Sequence, residues 1–205
     1  MIIQCRGTSG SGKTWAMRQV MSTLQLIPEF ISGRRRPLYY RTEDESIVVL
    51  GSYENSCGGC DGIGSARQVF DLIKILLENP SHRVILAEGL LLSEDVKWVS
   101  QLPDVRVLFL TTPLEDCLEN ILSRRKERGN DSPLTKEKPK GRPTADVKAS
   151  RRAGVIERSR LRLSSIEGII VRRCSSVQAP EIILRWLRES SEVQSSELTS
   201  SKRVS

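Results

Sequence analysis

Long apolar runs, histidine, aromatic rings and a paired set of cysteines are all scarce in this 205-residue chain, and each shortage removes a class of function. No hydrophobic run approaches the roughly 20 residues that a bilayer-spanning helix needs, so no membrane segment is expected. The first apolar run stops at Arg6 with no basic leader before it, and the sequence therefore predicts a cytoplasmic protein without a signal peptide. His82 is the single histidine, which sets aside histidine-based nucleophilic chemistry and makes four zinc ligands hard to collect. The five cysteines, Cys5, Cys57, Cys60, Cys117 and Cys174, are odd in number and scattered, as reduced thiols are. Cys57-Gly58-Gly59-Cys60 has a metal or redox spacing, but it has no second pair to complete it and reads as small residues in a tightly folded loop. Aromatic residues make up 4% of the chain, leaving few rings to stack on bases, with Tyr53 the best placed.

Positive charge, by contrast, is abundant and unevenly spread. The net charge is +7, and from Arg124 to Arg162 fourteen Lys/Arg face five Asp/Glu, with Arg34-Arg35-Arg36 a second cluster. Two readings fit: a polyanionic partner, or a solvated surface combined with arginines that close over a phosphate.

The stretch that decides between function classes is Gly7-Thr8-Ser9-Gly10-Ser11-Gly12-Lys13-Thr14, a gapless match to the P-loop pattern G-x-x-x-x-G-K-[ST]. Glycines let the backbone curl its N–H groups around a phosphate, and the following helix turns its positive end toward the same anion. Lys13 would reach the β- and γ-phosphates of ATP, and the Thr14 hydroxyl would hold Mg²⁺. A Gly/Ser-rich turn that binds nothing is the competing reading, and the apolar run before it and the amphipathic segment after it argue against that.

Periodicity predicts helices over Lys13 to Leu26, Ser65 to Leu77, Glu94 to Val99, Leu114 to Arg128, Ala145 to Ser164 and Ala179 to Leu187. Trp15, Met17, Val20, Met21 and Leu24 form an apolar stripe on the first of these, read as packing. Short strands are expected at Leu38 to Tyr40, Ile47 to Leu50, Val84 to Glu88, Val105 to Leu110 and Gly168 to Val171, besides the first one. Gly51 to Gly62 is too rich in glycine for regular structure, and Gly129 to Thr144 reads as a mobile loop. The pattern predicts an α/β fold, a three-layer αβα sandwich around a parallel five-stranded sheet, with ligands beyond the carboxyl ends of the strands. One kinase-like domain is expected over residues 1–190, with a mobile basic lid near 124–152 and a disordered tail over 191–205.

A GTPase would carry an N-K-x-D motif, which is absent, and the strand preceding Gly89 ends in Glu88 alone rather than in two carboxylates. Arg124, Arg125 and Arg128 lie about one turn apart, a spacing suited to closing over a transferring phosphoryl group. An alcohol acceptor needs a carboxylate within about 3 Å of its proton. Asp61, at the end of the Gly-rich loop, is assigned as that base, and Glu88 is assigned to the metal. A turn-forming role for Asp61 and a helix-capping role for Glu88 stand as alternatives.

Gly7 to Thr14, Val49-Leu50-Gly51-Ser52-Tyr53 running into Cys57-Gly58-Gly59-Cys60-Asp61, and Thr112-Pro113-Leu114-Glu115-Asp116-Cys117-Leu118 followed by Arg124-Arg125 and Gly129-Asn130 together resemble the phage P-loop kinases that act on 5-hydroxymethyluracil in DNA. The resemblance implies ATP- and Mg²⁺-dependent phosphorylation of the base's hydroxymethyl group in double-stranded DNA, a step of base hypermodification in the host cytoplasm. Similarity to nucleoside-monophosphate kinases implies the strand order 2-3-1-4-5. On the DNA reading, Arg34 to Arg36 and Lys148, Arg151, Arg152 and Arg158 would grip backbone phosphates. A kinase of a free nucleoside monophosphate or sugar, and a non-catalytic P-loop module, are the readings an acceptor assay separates.

Overall fold

β1 (Ile2–Arg6) is buried along its whole length and pairs in parallel on both sides, with β5 (Val84–Glu88) and with β6 (Val105–Leu110). Apolar residues on both faces of one strand require cover on both faces of the sheet. The computed structural model describes residues 1–55, 58–130, 132–135 and 143–201; Cys57 and the charged segment 136–142 lie outside them. Among the described residues, one sheet runs β2-β3-β4-β5-β1-β6-β7, with β2 (Leu26–Glu29), β3 (Tyr39–Thr42), β4 (Ile47–Leu50) and β7 (Ile169–Cys174) completing it.

The sheet thus has seven strands rather than the expected five. β2 and β3 join antiparallel at the β4 edge, whereas β4, β5, β1, β6 and β7 are mutually parallel. Counted alone in chain order, the parallel strands lie 2-3-1-4-5. The additional edge arises because α1 (Lys13–Met21) ends well before Leu26. The Ser22 and Thr23 hydroxyls turn back to the Gln19 and Val20 carbonyls, which releases Leu26-Ile27-Pro28-Glu29 to pair. Pro28 is tolerated because β2 is an edge strand, and Glu29 on β2 accepts from the Arg41 Nε on β3 at 2.6 Å.

α1 and α6 (Ala179–Ser201) cover one face, where Ala16, Met17, Val20, Ile183 and Trp186 meet Ile3, Leu86 and Leu108. α2 (Ala66–Leu77), α3 (Leu90–Ser93) and α5 (Ala145–Ser164) cover the other, where Val69, Ile73, Leu92, Ile156 and Leu163 meet Ile2, Ile85 and Val107. The alternation Ile2 to one core and Ile3 to the other is the period-two pleat of a strand buried on both sides. α4 (Leu114–Lys126) lies beside α5 and buries Cys117.

Besides the early end of α1, two helical segments differ from expectation. Glu94 to Val99 does not form an α-helix; the α-helix precedes it as α3, and Val99 opens a single 3₁₀ turn, Val99–Gln101. The Asp95 carboxylate accepts from the N–H groups of Trp98 and Val99 at 3.2 and 3.0 Å, so it starts a new turn rather than continuing an old one. α6 continues past Ser190 to Ser201, and residues 202–205 lie outside the described set. Among the described residues no helix is long and apolar enough to cross a membrane.

The glycine-rich segment after β4 is held by backbone pairing. Gly59 N–H donates to the Ser52 carbonyl at 2.9 Å, and Gly51 N–H donates to the Leu38 carbonyl at 2.8 Å. Gly51 has φ +89°, and a Cβ there would collide with the carbonyl of Gly59. Gly51→Ala is therefore expected to lower stability by about 2–4 kcal/mol, the sum of left-handed strain and a backbone clash with no flexible side chain to yield. Urea unfolding of the variant checks this, and an unchanged midpoint would refute the packing.

Candidate active site

The carboxyl ends of β1, β4, β5, β6 and β7 open onto one cavity of about 720 Å³. Lys13, Thr14, Asp61, Glu88, Arg124 and Arg128 all line it, and Ser9, Gly10, Gly12 and Arg125 contribute as well. Of the residues expected at the phosphates, the metal and the acceptor, Gly7, Thr8 and Ser11 stand back from the lining, in the buried part of the same turn, and the expected DNA-contacting residues Tyr53, Arg34 to Arg36, Arg151 and Arg158 do not line the cavity either.

The Gly7-to-Thr14 turn is fixed from several sides. Gly7 N–H donates to Ser93 Oγ at 3.1 Å, and that hydroxyl donates to the Gly89 carbonyl at 2.9 Å. Thr112 Oγ1, following β6, donates to the Ser11 carbonyl at 2.8 Å, and Asn120 Nδ2 of α4 donates to the Gly10 carbonyl at 2.9 Å. Gly10 has φ +84°, and a Cβ on it would strike the Cys117 carbonyl, so α4 packs directly on the turn. Buried Lys13 points back across the turn, and its Nζ donates to the Gly7 and Thr8 carbonyls, both at 2.9 Å. Among the described residues the buried Thr8 Oγ1 and Ser11 Oγ have no hydrogen-bond partner. Orphaned hydroxyls beside a lysine ammonium at a helix N-terminus suit an anion.

Glu88 ends β5 only 1% exposed, and Thr14 Oγ1 donates to its Oε1 at 2.8 Å. Burial pushes the Glu88 carboxyl up to about 7, partly offset by Lys13 and by the Thr14 hydrogen bond. Nearby Asp61 pushes in the same direction as burial. A hydroxyl and one buried carboxylate, with cavity beside them, fit Mg²⁺, which binds few protein oxygens and keeps water or phosphate for the rest of its shell. Among the described residues no group of three or more His, Cys, Asp or Glu gathers at a metal-binding spacing.

Asp61 sits in a 3₁₀ turn, Cys60–Gly62, and its Oδ1 accepts from the N–H groups of Leu90 and Leu91 at 2.7 and 3.2 Å. One carboxyl oxygen thus binds the first N–H groups of α3, a partner distant in sequence and not the local turn of the alternative reading, and the residue also lines the cavity. Cys60 is buried, and its Sγ lies 3.9 Å from the Leu50 carbonyl; its sequence partner Cys57 is outside the described residues.

On α4, Arg124 Nε donates to the Asn120 carbonyl at 3.2 Å, and Arg125 reaches the Ser132 carbonyl at 3.5 Å. Lys148 and Arg152 of α5 face the same cavity, Arg152 paired with Glu94 at 3.1 Å. Sequence reasoning missed Arg18, one helical turn past Thr14, which donates to the Tyr53 carbonyl at 2.7 Å and also to that of Asn55. Its i, i+4 spacing from Thr14 was the available signal. Arg6 was missed too: fully buried, it donates to Gln4 Oε1 at 2.5 and 3.0 Å, to the Asp95 carbonyl and to Ser159 Oγ at 3.3 Å, and burial lowers its guanidinium to about 9. No pattern in the sequence distinguishes it from a strand's exposed end.

Trp15 corrects the expected packing stripe. Lys13, Ala16, Met17 and Val20 form the buried side of α1, which at about 3.6 residues per turn turns position 15 away from the sheet. The indole is 46% exposed and lines the cavity.

No family model matches the chain. It is 35% identical, over 143 residues, to a protein of Pseudomonas phage PaMx11 named 5-hmdU DNA kinase, an alignment that covers 64% of this chain and 73% of the relative.

Proposed function

The chain belongs to the family of the phage 5-hmdU DNA kinase, and on that premise we propose that it transfers the outer phosphoryl group of ATP to the hydroxymethyl oxygen of 5-hydroxymethyluracil in double-stranded DNA. The observation that carries this reading is the convergence on one cavity of the Lys13 turn, the carboxylates of Asp61 after β4 and Glu88 at the end of β5, and the arginines at the C-terminal end of α4. Phosphoryl transfer asks little covalent chemistry of a protein and much positioning and charge stabilisation, and this set of groups supplies both.

In this reading the Gly7-to-Thr14 turn is a P-loop. Its N–H groups and the Thr8 and Ser11 hydroxyls take up the β-phosphate, while Lys13 swings from the Gly7 and Thr8 carbonyls to the β- and γ-phosphates. Thr14 and Glu88 would hold Mg²⁺, which supplies positive charge to the β- and γ-phosphate oxygens. The hydroxymethyl oxygen attacks the γ-phosphorus, the bond from that phosphorus to the β-phosphate oxygen breaks, and ADP leaves. Asp61, with Oδ1 fixed by the α3 cap, offers its second carboxyl oxygen to the departing hydroxyl proton. Arg124, Arg125 and Arg128 stabilise the charge spread over the transferred group. Exposed Arg151 and Arg158 on α5 would take backbone phosphates, as would the Arg34-to-Arg36 turn, whose Arg34 donates to the Gly62 carbonyl at 3.3 Å beside Asp61. Chemistry on a base inside a duplex requires its extrusion from the stack.

Incubation with γ-labelled ATP and either 5-hydroxymethyluracil-containing duplex, unmodified duplex or free nucleotides tests the acceptor. Label is expected on the modified duplex alone, and its transfer should fall steeply as salt rises, by about 10³-fold or more in affinity between 50 and 200 mM if about six phosphates are contacted. Label on a free nucleotide, with no salt dependence, would replace the DNA reading with that of a small-molecule kinase.

A further inference from the structure

Tryptophan side chains in this protein are packed, with one exception. Trp186 is buried with Arg106 and Arg172 over its ring, each 5.7 Å from the centroid, and Trp98 meets Phe70 at 5.4 Å between centroids. Among the described residues no ring or cation stacks on Trp15, which holds nearly half of its surface open. Truncating it would leave no hole in the core, because the buried side of α1 is complete without it. An indole so placed lies outside the buried core, and on a helix an alanine would be the better former.

Its surroundings point to a ligand. Trp15 directly follows Thr14 and lines the cavity together with Arg124 of α4, Arg128 in the turn just past that helix, and Lys148 and Arg152 of α5. A cavity wall that carries this ring and these four cations, besides the carboxylates of Asp61, Glu88 and Glu127, can take a molecule with a flat apolar ring and several negative charges. Nucleotides are built that way, and bases stack on aromatic side chains with little regard to sequence because every base has a π-face.

We propose that Trp15 is the stacking platform for a nucleobase that enters this cavity with its phosphates, a role that rests on the kinase reading above. Both the phosphate donor and the DNA acceptor carry such a base, and the experiment separates them. Calorimetric and fluorescence titrations of the full chain with ATP, with inorganic tripolyphosphate and with a 5-hydroxymethyluracil-containing duplex are compared for wild type, Trp15→Phe and Trp15→Ala. The ligand whose base stacks quenches the wild-type emission, and Trp15→Phe removes that quench while keeping the affinity. Trp15→Ala weakens the same ligand by about 5- to 150-fold, the range that base stacking on an aromatic ring spans, and leaves tripolyphosphate, which has no base, bound as before. The unfolding midpoint stays at the wild-type value. Loss confined to ATP assigns the donor base, loss confined to the duplex assigns the acceptor side, and loss of both assigns a shared wall. Trp15→Ala binding ATP and duplex as tightly as wild type would overturn the proposal, as would an equal weakening of tripolyphosphate. Failure of the kinase reading is read separately, as wild-type protein that transfers label to no hydroxymethyluracil substrate.

Discussion

Lys13→Ala is expected to lower ATP-dependent labelling of the acceptor by about 10²- to 10³-fold, the loss that follows removal of one charge-stabilising donor aimed at the reacting group. The side chain is 7% exposed and already turned into the phosphate turn, so little reorganisation separates its resting contacts from a phosphate oxygen. Because the two carbonyls it bonds belong to the turn itself, the substitution removes both the cation and the clamp across Gly7 and Thr8. Single-turnover labelling with saturating DNA measures the effect, and equilibrium binding of ATP distinguishes lost affinity from lost chemistry. Wild-type turnover in this variant would take the turn out of the reaction. Its retention alongside intact ATP binding would point to a phosphate subsite elsewhere in the cavity.

Much of this site is legible in the sequence because the turn is a local structure. Gly10 and Gly12 stand at left-handed backbone positions that their neighbours cannot easily adopt, and Thr14 follows Lys13 into a helix, so one short segment specifies one geometry. Glu88 is legible for a similar reason: a run of buried apolar residues ending in a carboxylate marks a strand end next to β1. What escaped is what depends on partners distant in the chain. Arg6 looks like the polar end of a strand until Gln4, the Asp95 carbonyl and Ser159 close around it. Ser93 has no local signature, yet it holds the first N–H of the turn. β2 was hidden because Leu24 and Leu26 continue the spacing of α1, whereas Ser22 and Thr23 end that helix by bonding backward. Trp15 shares the apolar stripe in sequence and not in space, since its hydrophobicity alone does not say which side of the helix the sheet occupies.

The two carboxylates give the second large expectation, and their environments separate their roles. Asp61→Asn is expected to reduce turnover by about 10²- to 10⁴-fold, the usual contribution of a positioned proton acceptor, while leaving ATP binding and stability close to wild type. The amide oxygen of asparagine still accepts from Leu90 and Leu91, so the α3 cap survives and only the proton-accepting oxygen is lost. Glu88→Gln acts differently. An amide in that buried place keeps a partner for the Thr14 hydroxyl but not the negative charge beside Lys13, so the variant should need more Mg²⁺ for half-maximal rate and regain part of its turnover when Mg²⁺ is raised. Steady-state kinetics at several Mg²⁺ concentrations compare the two variants directly. Should Asp61→Asn keep full turnover while Glu88→Gln loses it at every Mg²⁺ concentration, the proton acceptor is Glu88, whose carboxyl burial has already raised to about 7, close to the range where a general base works best.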